Sequence, residues 1–336
     1  MTRYQRLTLA TAIATFLLVL LGGTTRVTNS GLSCPDWPTC FGRWVPTQNY
    51  HVLLEYFHRL FAGLVSWLIV GQALAAWIWF RKDRRLLVLA TAAIGVLLVQ
   101  IILGGLTVTQ KLNAEIVSAH LGTAMILFAT VTLLACEAWS RTHAIVRPAV
   151  TGAALRNARA FRAAAIAGAV GIYMLLISGA YVASDNAGTS CGTGWPLCAG
   201  HALPAATWTH WVSENYAHRL IVAVVTIAVA TLVWGAWRWL RGNPVLQKTV
   251  GLAAALFFAQ ILLGAANVMS RLYTPIRVAH LGTGALIWCS FVVIAWMAYG
   301  AAQPAATMAT PRAQQPRPAP APATQPASAR EPQEVA

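Results

Sequence analysis

The amino-acid sequence predicts an all-α integral membrane protein with eight transmembrane helices, arranged as two parallel-repeat four-helix bundles. The 336 residues are 57% hydrophobic and only 10% charged, which is too apolar for a soluble protein of this length. Apolar runs of about 20 residues, the length that crosses a bilayer as a helix, recur along the chain. Several segments of the first half also return in the second half at a nearly constant separation.

The apolar runs define the predicted membrane helices in chain order. They cover roughly residues 7–23, 56–80, 86–108, 116–138, 163–183, 216–240, 246–268 and 278–299. The first run follows Arg3 and Arg6 and so has features of a signal peptide. Its apolar part is longer than a typical signal core, and its repeat counterpart, the fifth run, is internal, so we interpret it as a retained helix.

Basic residues are concentrated before the first helix and in the loops that follow the even-numbered helices. They are Arg3, Arg6, Arg81, Lys82, Arg84, Arg85, Arg141, Arg147, Arg156, Arg159, Arg162, Arg238, Arg241 and Lys248. Because cytoplasmic loops carry an excess of Lys and Arg, both termini are predicted to be cytoplasmic. This distribution accounts for the net charge of +15 and excludes a nucleic-acid partner from the prediction.

Each repeat unit holds four helices, an even number, so both copies enter and leave on the same side of the membrane. The predicted organisation is an N-terminal bundle at 1–140, a cytoplasmic linker at 141–162, a C-terminal bundle at 163–300 and a tail at 301–336. The tail is rich in Pro, Ala and Gln, a composition that is typical of disordered segments.

Four histidines occupy repeat-equivalent positions near the start of the even-numbered helices. The segment around His58 returns around His218, and the segment around His120 returns around His280, both 160 residues later. Paired histidines within a membrane helix bundle indicate axial ligands of haem iron. The alternatives are hydrogen bonds to neighbouring helices, or a zinc or copper site, although such sites usually recruit Cys or carboxylate ligands as well.

One acidic residue breaks the symmetry of the repeat. Glu55 lies three residues before His58, one helical turn away on the same face. Its repeat counterpart is Asn215, and Glu214 would point about 100° away from that position on a helix. The Glu55 carboxylate could act as an acid, a base or a cation stabiliser, or simply complement the helix dipole. The asymmetry predicts that one half does chemistry and that the other holds a permanent cofactor.

Each half also has a long external loop with two cysteines. Cys34 and Cys40 in the first loop match Cys191 and Cys198 in the second, and Trp-Pro precedes the second cysteine in both. On the oxidising side of the membrane each pair is predicted to close as a disulfide. Structural disulfides and a redox-active pair both remain open at this point.

Other polar residues are less specific. Arg59 and Arg219 follow two of the histidines and could meet haem propionates or extend to the membrane interface. Gln100 and Gln260 are repeat-equivalent and are expected to join helices by hydrogen bonds. The remaining histidines lack repeat partners and are predicted to be surface residues in loops: His51, His143, His201 and His210.

Together these motifs resemble the haem A synthase family over about residues 7–299. The resemblance rests on Glu55-Tyr-Phe-His58-Arg59, its counterpart ending in His218-Arg219, the two Ala-His-Leu-Gly segments, and the paired-cysteine loops. It implies an oxidoreductase that converts the C8 methyl group of haem O to a formyl group through a hydroxymethyl intermediate. The product, haem A, serves haem-copper terminal oxidases.

The resemblance also implies roles for the site residues. A resident haem b would lie between His218 and His280, and the substrate haem would lie near His58 and His120, with Glu55 as the catalytic residue. The N-terminal cysteine loop of the family is linked to activity.

The implied partners are haem O, membrane lipids and an unidentified electron donor or acceptor. Haem O synthase and a second copy of the chain are further candidates. The implied location is the bacterial inner membrane, with the haem sites towards the periplasm. Two competing classes are a di-haem electron carrier, which the location of all four histidines on one side disfavours, and a haem transporter, which the lone Glu55 disfavours.

Overall fold

The computed structural model describes residues 1–46, 49–142, 152–203, 208–240 and 243–301. Over these residues the chain forms eight long helices, each long and apolar enough to cross a membrane. They are α1 (Arg3–Val27), α2 (Tyr50–Trp79), α3 (Arg84–Thr109), α4 (Ala114–Ser140), α5 (Gly152–Ser184), α6 (His210–Trp239), α7 (Pro244–Met269) and α8 (Thr274–Ala301). The prediction of an all-α multi-pass membrane protein is therefore confirmed. His143, part of the predicted linker and the predicted tail from 302 onwards lie outside the described residues.

Most helices extend beyond their apolar runs. α2 begins at Tyr50, where the side chain of Asn49 accepts a hydrogen bond from the N–H of Val52 at 3.3 Å and caps the helix. α5 begins at Gly152, so the predicted linker is helical from residue 152 to residue 162. The Ala and Arg residues of this segment are strong helix formers, but the segment is not apolar enough to count as a membrane run. His51 and His210 consequently lie in helices and not in loops as predicted, although both are exposed.

Helix contacts form two closed rings of four. In the first half α1 packs on α2 and α4, and α3 packs on α2 and α4; the second half repeats this pattern with α5 to α8. α4 packs on both α5 and α8, and α1 packs on α8, which joins the rings. These are the contacts that two adjacent four-helix bundles produce.

The two rings meet through repeat-equivalent contacts. Gly122 of α4 is in close contact with Ile177 of α5, since a Cβ atom added to this glycine would lie only 2.6 Å from Cδ1 of Ile177. In the same way, a Cβ atom added to Gly282 of α8 would lie 2.7 Å from Cδ2 of Leu20 in α1. Gly282 is the counterpart of Gly122, and Leu20 is the counterpart of Ile177. The same pair of surfaces therefore meets twice, as across a two-fold axis.

A buried carboxylate joins the rings at the opposite end of the helices from the cysteine loops. Glu137 of α4 accepts a hydrogen bond from Nε1 of Trp296 in α8 at 2.8 Å. It also pairs with Arg141 at 3.2 Å and lies 3.7 Å from Arg85. Because these partners come from α3, from α8 and from the residue that follows α4, Glu137 fixes this end of the interface.

Candidate functional site

Both cysteine loops lie at one end of the protein, which we call the cap face. A Cβ built at Gly31 in the first loop would lie 3.5 Å from Leu112 in the α3–α4 turn, and one built at Gly188 in the second would lie 3.0 Å from Leu272 in the α7–α8 turn. The loops therefore lie over the ends at which α4 and α8 begin.

The four predicted histidines lie at matching depths below the cap face. His58 and His218 are eight residues after the first residues of α2 and α6, and His120 and His280 are six residues after the first residues of α4 and α8. All four are half-buried. His58 and His120 belong to the first ring of helices and His218 and His280 to the second, so that each ring contains one pair.

Each of these imidazoles lies against a glycine of the preceding helix. A Cβ built at Gly22 in α1 would lie only 2.8 Å from Cε1 of His58, and one built at Gly179 in α5 would lie 3.1 Å from Cε1 of His218. The corresponding distance for Gly104 and His120, and for Gly264 and His280, is 3.3 Å. Sequence reasoning missed these glycines, although Gly104 and Gly264 fall within a recognised repeat, because contacts between helices are not visible in the chain.

The two halves differ in the group beside the Nδ1 atom of the α2 or α6 histidine. Ser178 Oγ lies 2.8 Å from Nδ1 of His218. The counterpart of Ser178 is Leu21, and Nδ1 of His58 is buried without a hydrogen-bond partner among the described residues. A partner on Nδ1 fixes the ring orientation and leaves Nε2 free to bind a metal. The ring of His218 is therefore held by Ser178, whereas that of His58 has no such partner among the described residues.

For the α4 and α8 histidines it is the first half that places a polar side chain beside the imidazole. Nε2 of Gln100 lies 3.2 Å from both ring nitrogens of His120. Nε2 of Gln260 instead donates to the backbone carbonyl of His280 at 2.9 Å, and Nδ1 of His280 has no partner in the described part of the chain. Both glutamines join neighbouring helices, as the sequence indicated.

Glu55 connects the first histidine helix to the first cysteine loop. Its side chain is 4% exposed, Oε1 lies 2.6 Å from Nη2 of Arg59, and Oε2 accepts a hydrogen bond from the N–H of Cys34 at 2.8 Å. Arg59 also donates to the carbonyl oxygens of Asp36 at 2.6 Å, Thr39 at 2.7 Å and Cys34 at 3.2 Å. Its guanidinium is thus directed at the loop, an arrangement that neither sequence interpretation included. The result is a fixed, buried carboxylate one helical turn from His58.

The second half has the same arrangement without the carboxylate. Nδ2 of Asn215 donates to the carbonyls of Ala187 at 2.8 Å and Gly188 at 3.1 Å, and its Oδ1 accepts from Nε of Arg219 at 3.0 Å. Arg219 donates in turn to carbonyls of the second cysteine loop, at 2.6 Å in the case of Leu197. A neutral amide therefore holds this cap at the position where the first half has the carboxylate of Glu55.

Both cysteine pairs lie at disulfide distance and are buried. The S–S distance is 1.96 Å for Cys34–Cys40 and 1.90 Å for Cys191–Cys198. The pairing predicted from the sequence is present in both loops.

Asp36 organises the first cysteine loop from within. It accepts hydrogen bonds from the Thr39 hydroxyl and from the N–H groups of Phe41 and Gly42. These bonds, that from Thr39 first, lower the pKa of Asp36 to about 2. Because the pKa of the carboxyl is depressed by folding, its contribution to the loop is present at neutral pH and is lost only as the pH falls towards that value.

The chain is similar to a known family and to several relatives of known name. The COX15-CtaA model, described as cytochrome oxidase assembly protein, matches residues 5–53 and 47–292. The Heme A synthase of Geobacillus kaustophilus is 28% identical over 290 residues, covering 86% of this chain and 88% of the relative. That of Rhodospirillum centenum is 29% identical and covers 81% and 83%, respectively. That of Symbiobacterium thermophilum is 30% identical and covers 86% and 93%.

Proposed function

The chain belongs to the COX15-CtaA family of haem A synthases, and from this premise we propose that its first half oxidises haem O while its second half holds a resident haem b. As a haem A synthase it is an oxidoreductase whose substrate is haem O. The proposed reaction converts the C8 methyl group to a formyl group through a hydroxymethyl intermediate. The observation that carries the division of labour is the difference in charge between two repeat-equivalent positions, Glu55 in the first half against Asn215 in the second.

The histidine pairs fit a haem in each half. Each half brings two imidazoles together from helices that run in the same direction, and each ring lies beside a glycine that leaves space for it. The two imidazoles of each pair would hold the haem iron. When bound, a resident haem b supplies one-electron redox chemistry.

Two features support the assignment of the halves. Ser178 fixes the ring of His218, which favours a permanently bound haem at His218 and His280. Nδ1 of His58 has no such partner among the described residues, which suits a haem that enters and leaves on the His58 side of the first half. The carboxylate of Glu55, held by Arg59 and by the N–H of Cys34, is fixed beside the exchangeable site.

In this proposal Glu55 stabilises positive charge that develops at the substrate methyl group during oxidation. A fixed, poorly hydrated carboxylate is effective because it needs no reorganisation as the charge develops. The Cys34–Cys40 loop covers this region and is positioned by Glu55 and Arg59. We further propose that the cap face is periplasmic in a bacterial inner membrane and that both termini are cytoplasmic, as the loop charges indicate.

The function is tested by pigment analysis. The chain is expressed in a bacterium that makes haem O but lacks its own haem A synthase, and the haems are extracted and separated by chromatography. We expect haem A to accumulate and haem O to fall. An unchanged haem O pool in the presence of intact, membrane-inserted protein would contradict the proposal and would favour an electron carrier or a haem transporter.

Replacement of Ser178 by alanine should weaken binding of the resident haem. His218 would lose the hydrogen bond that orients it, and loss of such a partner typically lowers metal affinity by about 10–100-fold. The measurement is the rate of haem transfer from purified protein to apomyoglobin. The matched control is Ser290→Ala, since among the described residues Ser290 is hydrogen-bonded to its own helix, at the carbonyl of Leu286. Equal transfer rates for both variants would show that Ser178 does not orient the ligand.

Replacement of Gly22 by alanine should impair the substrate half. The new methyl group would lie 2.8 Å from the His58 ring and force it to move. Overpacking of this kind costs about 1–3 kcal/mol, so we expect roughly a tenfold or greater fall in haem A formation. The control is Gly63→Ala, because a Cβ at Gly63 meets nothing within 4 Å. The prediction fails if the two variants produce equal amounts of haem A.

A further inference from the structure

Three metal-ligating side chains meet on the cap face of the second half, apart from the four histidines described above. Asp185 directly follows α5, and His210 and Glu214 lie four residues apart at the start of α6, on one face of the helix. One ligand atom from each residue lies within 4.8 Å of the others. The cluster therefore connects the two helix ends that flank the second cysteine loop.

One oxygen of each carboxylate in this cluster is buried without a hydrogen-bond donor among the described residues. Oε1 of Glu214 lies 2.5 Å from Nε2 of His210, and the Glu214 side chain is 11% exposed. Oε2 of Glu214 and Oδ2 of Asp185 are buried, and neither accepts a hydrogen bond from any residue that the structure describes. Adjacent buried carboxylates repel each other unless a proton or a cation lies between them.

A neighbouring cation does not supply the missing charge. Nη2 of Arg26 approaches this end of α5, but it donates to the carbonyl oxygens of Ala183 at 3.4 Å and Ser184 at 3.3 Å. Its interaction is with the helix end and not with the carboxylates.

The internal repeat provides a comparison. The counterparts of Asp185, His210 and Glu214 in the first half are Thr28, Tyr50 and Leu54, respectively. The same junction of helices is thus built there without any of the three ligands. Because the fold does not require the cluster, its unfavourable grouping of charges indicates a ligand.

We propose that Asp185, His210 and Glu214 bind one divalent transition-metal cation. One imidazole nitrogen and two carboxylate oxygens suit Zn²⁺ and related ions, whereas Mg²⁺ and Ca²⁺ favour sets of oxygen ligands alone. The His210 side chain is 70% exposed, so the site opens to the aqueous side and water can complete the coordination. The bound ion clamps the end of α5 to the start of α6 beneath the second cysteine loop.

The test uses the full-length, haem-containing protein in detergent after dialysis against EDTA. Zn²⁺ is titrated in by calorimetry, and the thermal unfolding temperature is measured with and without Zn²⁺. We expect one Zn²⁺ per chain and an increase in that temperature, because a ligand that binds only the folded state stabilises it. Ca²⁺ and Mg²⁺ should neither bind at this stoichiometry nor stabilise the protein.

The decisive variant carries Asp185→Thr, His210→Tyr and Glu214→Leu, which places the first-half residues at these positions. Since loss of an outer-shell partner alone lowers affinity by about 10–100-fold, loss of the ligands should weaken Zn²⁺ binding by at least about 100-fold. Glu115→Gln, which removes an exposed carboxylate at the start of α4, is the control and should bind Zn²⁺ normally.

Two results would overturn the proposal. The first is a parent protein that binds no Zn²⁺, which would mean that the carboxylates share a proton. The second is Zn²⁺ binding that persists in the triple variant. The haem absorbance reports whether each variant is folded, and if the triple variant is not, His210→Tyr alone, at an exposed position, should show the same loss of Zn²⁺ binding.

Discussion

Replacement of Glu55 by glutamine should lower haem A formation by at least about 100-fold while the resident haem b remains bound. The amide has nearly the size of the carboxylate and can still accept the hydrogen bond from the N–H of Cys34. Arg59 would keep its three bonds to loop carbonyls. The variant therefore removes the negative charge near His58 and leaves the cap in position.

The measurement is the ratio of haem A to haem O in extracted pigments, together with the haem b content of the purified protein. Glu55→Asp should retain part of the activity, because it keeps the negative charge on a side chain that is one methylene group shorter. Glu115→Gln, at an exposed acid elsewhere on the cap face, should retain all of it. Normal haem A formation by Glu55→Gln would exclude an electrostatic role for this carboxylate.

Substitution of the histidines should distinguish the roles of the two halves. His218→Ala or His280→Ala should release the resident haem and abolish haem A formation, because one of the two imidazoles that would hold this haem is lost. His58→Ala or His120→Ala should also abolish haem A formation but keep the resident haem, because those residues belong to the other ring of helices.

Bound haem is measured from the pyridine-adduct spectrum of each purified variant, and the ligation state from electron paramagnetic resonance. His201→Ala changes an exposed loop residue and serves as the control. If the His58 and His218 variants lost equal amounts of haem, the proposed assignment of the halves would be wrong.

The sequence alone predicts the elements that depend on composition and repetition. Eight apolar runs predict eight membrane helices, and repeat-equivalent histidines such as His58 and His218 indicate the candidate haem-binding positions. The contrast between Glu55 and Asn215 is also visible in the chain. These features can be recognised because one copy of the unit can be compared with the other.

Contacts between helices were not predictable in the same way. Arg59 binds loop carbonyls more than 20 positions before it in the chain, and no pattern of spacing indicates that partner. Glycine is common in membrane helices, so Gly22 does not stand out in the sequence. Only the packing of α1 on α2 places it against His58. Ser178 was missed for the same reason, since its partner lies 40 residues away.

The matching contacts of Gly122 with Ile177 and of Gly282 with Leu20 have a consequence for the history of the chain. Interfaces in which one pair of surfaces is used twice are those of a symmetric homodimer, in which every mutation appears in both subunits. Fusion of two such subunits into one polypeptide removes that constraint. Each half is then free to diverge. Duplication followed by specialisation accounts for the carboxylate at position 55, where the second half has an amide at 215. It also accounts for the serine at 178, where the first half has a leucine at 21.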